Sequence, residues 1–224
     1  MSTYEPLLND LTPAFLTGQT DTHVLPVNVE NPQAPRIHAQ CLGAFMSMQQ
    51  AAADDGIDLK IASGFRDYAR QQAIWQRKCE ATKTLAGEAL DDALHAILRW
   101  SAMPGASRHH WGTDMDVYDP SALGDATLQL EPWEYAANGP MHPLYLWLQQ
   151  HAQSFGFDWP YARDLGGVAV EPWHLSYRPL AQSFLAQMNR DVLLGAWQAS
   201  PPARHDWLVT HVDSLLERYV QRVT

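Results

Sequence analysis

Two short segments concentrate side chains able to hold a metal ion: Ser-Arg-His-His-Trp-Gly-Thr-Asp-Met-Asp at 107–116 and Glu-Pro-Trp-His at 171–174. Imidazole nitrogen combined with a carboxylate suits a borderline ion such as zinc, and a catalytic zinc takes three protein ligands and keeps one position for water. His109, Asp116 and His174 make such a set. Glu171 precedes His174 by three residues, so on a turning segment it can reach that water without ligating the metal. Zinc lowers the pKa of water from about 15.7 toward about 7, and a neighbouring carboxylate takes the proton as attack proceeds. Either segment alone would be weak, because a histidine among ten is usually structural. Their joint content is what points to metal-assisted hydrolysis. Rival signatures are absent: there is no His-Glu-x-x-His, no Gly-x-Ser-x-Gly and no phosphate-binding Gly-x-x-x-x-Gly-Lys loop, and Asp114, Asp116 and Asp119 do not fit an EF-hand.

The neighbours of these residues read more plainly. On an extended segment His110 points away from His109 and reads as structural or as a support behind the ligands, not as a ligand, whereas Asp114 shares a side with Asp116 and reads as an acceptor behind the site rather than a ligand. Trp111 and Trp173 are packing residues first, with either able to wall a pocket.

The elements that must position this set follow from periodicity. Residues 1–36, broken by Pro6, Pro13, Gly18, Pro26, Pro32 and Pro35, read as an extended N-terminal arm. From Arg36 to Gly56, Ile37, Cys41, Phe45, Met48 and Ala52 recur at helical spacing. Leu59 and Ile61 suggest a strand, after which Asp67 caps a helix through Ile74 and Trp75. A further helix is expected over 87–100, a strand edge within 107–119, a loop-like insertion over 120–143 bordering the cleft, and a helix over 144–155. Val168–Val170 and Leu175–Tyr177 read as strands flanking Glu171 to His174. Residues 179–224 read as a helical C-terminal extension with Trp207, Leu208, His211, Val212, Leu215, Tyr219 and Val223 on one face. The fold class is therefore α+β, a small antiparallel sheet with helices packed on one side, around a core over 37–178.

With 46% apolar and 18% charged side chains, the 224 residues fill one core. A formal charge of -10 with no basic cluster argues against nucleic acid as a partner. No run is long enough to span a bilayer, and the start lacks the pattern of a secretory signal, so the chain as written reads as cytoplasmic. An N-terminus truncated of an export segment would instead place it in the periplasm or cell envelope. Cys41 and Cys79 read as buried free thiols, although one disulfide remains open. The sequence assigns no oligomeric state.

Ser63-Gly64-Phe65-Arg66-Asp67-Tyr68 with Gln71, then Ser107-x-His109-x-x-Gly112-x-x-x-Asp116, then Glu171-x-Trp173-His174 together resemble the three-part signature of the VanY-type D-alanyl-D-alanine carboxypeptidases. These belong to the LAS zinc metallopeptidases, with the VanX dipeptidases and, as a fold relative, the hedgehog domain. The resemblance runs from about Ile37 to Tyr177. It implies Zn2+ on His109, Asp116 and His174, Glu171 as catalytic base, Arg66 as the partner of the developing oxyanion, and Gln71 and Ser107 as holders of the substrate's terminal carboxylate. The implied partner is a small peptide or muropeptide ending in D-alanine, cut by a D,D- or L,D-carboxypeptidase. A peptidoglycan endopeptidase, a D-Ala-D-Ala dipeptidase and a non-catalytic zinc-containing binding module of the same fold are the alternatives.

Overall fold

The computed structural model describes residues 11–31 and 33–224, so the first ten residues of the expected arm, including Pro6, and Pro32 lie outside the described residues. Within the arm the chain is not fully extended. Thr12 caps a one-turn helix, α1 (Pro13–Leu16), its side chain accepting from the Phe15 N–H with Pro13 at the first helical position. Strand β1 (Val24–Pro26) then pairs antiparallel with β2 (Arg36–His38). The helix expected from Arg36 therefore begins later, as α2 (Leu42–Asp54), because Arg36–His38 is claimed by that pairing.

The four-stranded sheet has the order β3 (Lys60–Ser63), β4 (Asp114–Tyr118), β6 (His174–Tyr177), β5 (Phe157–Asp158), and every pairing is antiparallel. Sheet period assigns the faces of β4. Met115 and Val117 point to one side, where with Leu175, Ile61 and Phe157 they pack under α2 and α6 (His142–His151). Asp114 and Asp116 point to the other side, opposite Ser176 and His174. A second apolar body is built from α3 (Tyr68–Cys79), α4 (Gly87–Leu98), α7 (Arg178–Gln187), α8 (Arg190–Ala199) and α9 (His205–Leu216) around Trp75, Leu94, Trp197, Leu208 and Val212. The polar face of the sheet opens onto the flank of this body.

The differences from the sequence reading are local. Residues 107–119 do not form a strand edge: Arg108–Trp111 is a 3-10 turn, and β4 is an inner strand. Val168–Val170 is not a strand, and the short edge strand β5 takes its expected place in the sheet beside β6. The insertion holds α5 (Pro132–Tyr135), at whose start the Glu134 carboxylate accepts from the Glu131 backbone N–H at 2.9 Å. Asp67 caps α3 as expected, accepting from Arg70 N–H at 2.7 Å. Cys41 and Cys79 are free and buried in different apolar clusters. No helix among the described residues is long and apolar enough to cross a membrane.

The arm is tied to the rest by a knot of rings, of which Phe15, His38 and Phe184 are buried and His23 is half-buried. His23 lies 4.3 Å from Phe15 and 5.7 Å from His38 between ring centroids, and His38 lies 5.8 Å from Phe184. Burial pushes the pKa of each histidine down, to about 4 for both. Their folded values thus sit below the unfolded value near 6.5, and the unfolded chain binds more protons between pH 4 and 6.5. Stability is expected to be flat above about pH 7 and to fall as pH drops through that window, by at most about 1.4 kcal/mol per pH unit for each histidine. His38→Asn keeps an acceptor for the Gln40 N–H while removing one titration, so urea midpoints from pH 7.5 to 5 should fall less steeply in the variant. An unchanged slope would dismiss this origin of the acid sensitivity.

Candidate active site

The site is assembled from three chain segments that the sheet brings together. Gly112 ends the 3-10 turn with φ +68°, and a Cβ there would meet Val24 Cγ1 at 2.6 Å and His38 N at 2.8 Å, so only glycine lets the turn seat against β1 and β2. That turn delivers His109. Strand pairing sets Asp116 directly across from His174. One donor atom from each of His109, Asp116 and His174 lies within 4.8 Å of the others, and all three residues are buried.

Each imidazole is fixed by its second nitrogen. His109 Nδ1 donates to the Gly64 carbonyl at 2.9 Å, leaving Nε2 to face Asp116 Oδ2 at 3.3 Å. His174 Nε2 donates to Asp114 Oδ1 at 3.1 Å, leaving Nδ1 at 3.3 Å from both Asp116 Oδ1 and Glu171 Oε2. Hydrogen bonds of this kind select the tautomer and orient a ligand. Asp116 Oδ1 is buried without a hydrogen-bond partner, which is costly unless a cation meets it. Two oriented imidazoles and an unsatisfied carboxylate oxygen fit zinc.

The electrostatics agree. Burial would raise the Asp116 carboxyl, but the His109 and His174 imidazoles outweigh it and hold it well below the usual range. Asp114 is likewise pulled down against burial by Arg108 and His174. Arg108 Nε donates to Asp114 at 2.7 Å and its Nη2 to Ser176 Oγ at 2.7 Å, so the acceptor behind His174 belongs to a satisfied buried network.

These groups line a cleft of about 330 Å³, a size suited to small ligands. Glu171 and Ser107 line it, and Arg66 enters from the loop after β3. Arg66 Nη1 donates to Gln71 Oε1 at 2.8 Å and Nη2 to Ser63 Oγ at 3.1 Å, while Nε is buried without a partner. Burial lowers its pKa, opposed by Asp116 and Glu171. Gln71 is fully buried and does not line the cleft; its Nε2 donates to the Ala102 carbonyl at 2.6 Å, so both ends of the amide are engaged. His110 does point away from His109, but through the 3-10 turn: its Nδ1 meets the Arg66 carbonyl at 2.6 Å and its Nε2 accepts from Gly105 N–H at 3.2 Å. Trp173 reaches the cleft, whereas Trp111 is buried with its indole N–H on the Leu16 carbonyl.

Four contributors had no motif to announce them. Tyr161 stacks edge-on to His174 with centroids 5.1 Å apart, and burial pushes its hydroxyl up to about 12. Lys78 lines the cleft from α3, at a helical repeat from Gln71 and Ile74 that was visible in the sequence. Gln129 to Glu131 of the insertion form the facing wall, and Tyr219, just beyond α9, closes one end.

Known proteins can be set beside this geometry. The family model described as VanY, D-alanyl-D-alanine carboxypeptidase, matches residues 34–180. An uncharacterized protein of Haemophilus influenzae is 37% identical over 118 residues, covering 51% of this chain and 90% of its own. A D-alanyl-D-alanine carboxypeptidase of Enterococcus faecalis is 31% identical over 130 residues, covering 57% of this chain and 42% of its own. Among solved structures, the vancomycin-resistance D,D-pentapeptidase VanY from a VanB-type cassette, in complex with Zn(II), superposes with a TM-score of 0.52 at 25% identity, over 75% of this chain and 86% of that one. The LD-carboxypeptidase LdcB gives 0.53 at 26% identity over 72% of each chain. With the match spanning both ligand segments and the arginine loop, the chain is a metallopeptidase and belongs to the VanY D-alanyl-D-alanine carboxypeptidase family.

Proposed function

We propose that this metallopeptidase removes a C-terminal D-alanine from peptidoglycan-derived peptides, as a D,D- or L,D-carboxypeptidase. The observation that carries the reading is the position of Glu171, whose Oε2 lies 3.3 Å from the nitrogen that His174 presents to the metal site, in a cleft it shares with Arg66. His109, Asp116 and His174 would hold zinc, which when bound would supply Lewis acidity for a carbonyl and for water. Glu171 takes a proton from the attacking water and returns it to the departing amine. The Arg66 guanidinium, held by Gln71 and Ser63, faces the oxygen on which negative charge develops. Because Gln71 is engaged with Arg66 and Ala102, it acts on substrate through Arg66, and Ser107 lines the cleft itself.

The bond is decided by a panel: muropeptides ending in D-Ala-D-Ala or in a single D-Ala, free D-Ala-D-Ala, and a cross-linked peptide, with products followed by mass spectrometry. D-Alanine is expected from a pentapeptide or tetrapeptide, abolished by chelation and restored by zinc. Internal cleavage alone would assign an endopeptidase, and splitting of the free dipeptide alone a dipeptidase; either overturns the reading.

A further inference from the structure

A carboxypeptidase must recognise a free carboxylate one residue beyond the scissile carbonyl, and most cationic groups in this cleft are already engaged. Arg108 is buried and bonded to Asp114 and Ser176. Arg66 is forked onto Gln71 and Ser63 and is placed for the oxyanion. Lys78 differs. On α3, Gln71, Ile74 and Lys78 share one face at positions i, i+3 and i+7, and the latter two line the cleft. Its neighbour Arg77 is exposed, whereas Lys78 is half-buried against the cleft wall. Among the described residues the Lys78 ammonium makes no hydrogen bond or ion pair. Burial lowers its pKa, and among the charges acting on it are Glu171, which raises it, and Arg66, which lowers it, so the ammonium lies within the field of the reacting groups.

A half-buried ammonium without a protein counter-charge is available to meet the charge of a ligand. The facing wall supplies no such counter-charge, since the Glu134 carboxylate is taken by the Gln129 and Glu131 N–H groups and no ion pair joins Glu131 to Lys78 among the described residues. Lys78, Ser107 and the metal ligands all line the one cleft. Successive Cα atoms of a peptide lie about 3.8 Å apart, so a terminal carboxylate stays close to the carbonyl being attacked.

We propose that Lys78 is the residue that binds the substrate's free C-terminal carboxylate, with the Ser107 hydroxyl beside it, and that this contact restricts the enzyme to the last residue of a chain. The inference rests on the carboxypeptidase reading above and adds the group that enforces it. A helix-borne ammonium is a compact charge that accepts a carboxylate without demanding the two-point geometry of a guanidinium.

The test measures binding as well as turnover. Zinc-loaded protein carrying Glu171→Gln is titrated calorimetrically with one peptide ending in D-alanine, as free acid and as C-terminal amide, with and without Lys78→Met or Lys78→Arg. The acid is expected to bind about tenfold to hundredfold more tightly than the amide, the range of a charge-assisted hydrogen bond. Lys78→Met should bring the two to within about twofold of each other, and Lys78→Arg should restore part of the difference. A preference that survives Lys78→Met overturns the proposal, as does a loss that tracks an acidic side chain on the preceding residue instead of the terminus. Failure of the free acid to bind overturns it too. If the acid preference depends on Lys78 but the Glu171-intact enzyme releases no D-alanine, the carboxylate site stands and the carboxypeptidase reading falls.

Discussion

Replacing Glu171 by Gln is expected to lower kcat/KM by about a hundredfold to ten-thousandfold, the usual range for a positioned acid–base group, while zinc stoichiometry stays at one per chain. Glutamine retains the size and polarity of the side chain, whose backbone N–H is bonded to the Tyr161 carbonyl, so the turn that carries it should persist. What is lost is the ability to hold a proton between attack and departure. A thousandfold loss corresponds to about 4 kcal/mol of transition-state stabilisation. Because Glu171 faces the same His174 nitrogen as Asp116 does, the competing view is that it ligates metal. The two are separated by measuring zinc content beside turnover: full zinc with little activity supports the base, loss of zinc supports a ligand, and undiminished activity refutes both.

Arg66→Met is expected to cost about a hundredfold to a thousandfold, the loss found when one donor to a developing oxyanion is removed. The decrease should fall in kcat with KM little changed, since an interaction made mainly in the transition state does not help ground-state binding. Arg66→Lys should recover little, because Gln71 Oε1 and Ser63 Oγ hold a planar fork that an ammonium cannot imitate. Arg66 is also a buried cation beside Asp116 and Glu171, so its removal disturbs their charge balance. Zinc affinity therefore has to be measured in the same variant. A large rise in KM with kcat intact would move Arg66 from catalysis to substrate binding.

The metal set was readable because its chemistry demands particular residue types, and the intervals between Asp114, Asp116, Glu171 and His174 survive whatever the chain does around them. Strand period also gave the facing of Asp114, which the structure confirms as the acceptor behind His174. The errors arose where a tertiary contact overrode local pattern. Ile37 fits a helical repeat, yet Arg36–His38 pairs with β1 because the Phe65 N–H and the Gly112 carbonyl also bond to that segment. His109 and His110 looked extended because a 3-10 turn of four residues leaves almost no periodic signal. The engagement of Gln71 could not be seen from spacing, since it depends on the Ala102 carbonyl arriving from a different element. Lys78 was missed for a simpler reason: a single lysine at the end of a helix is usually solvent-facing, and only the cleft distinguishes it from Arg77.

The pairing of β4 with β6, which aligns Asp116 with His174 and Asp114 with Ser176, also bears on how the chain folds. These contacts join positions far apart in sequence, and closing such loops is slow compared with forming α3 or α9. A slip of one residue would turn Met115 toward the metal and both carboxylates into the apolar layer under α2 and α6. Capture of a metal ion would therefore proofread the register, because only the correctly zipped sheet gathers His109, Asp116 and His174. In refolding, acquisition of the ion would be the last step and would report completion of the sheet, while helical signal would already have returned.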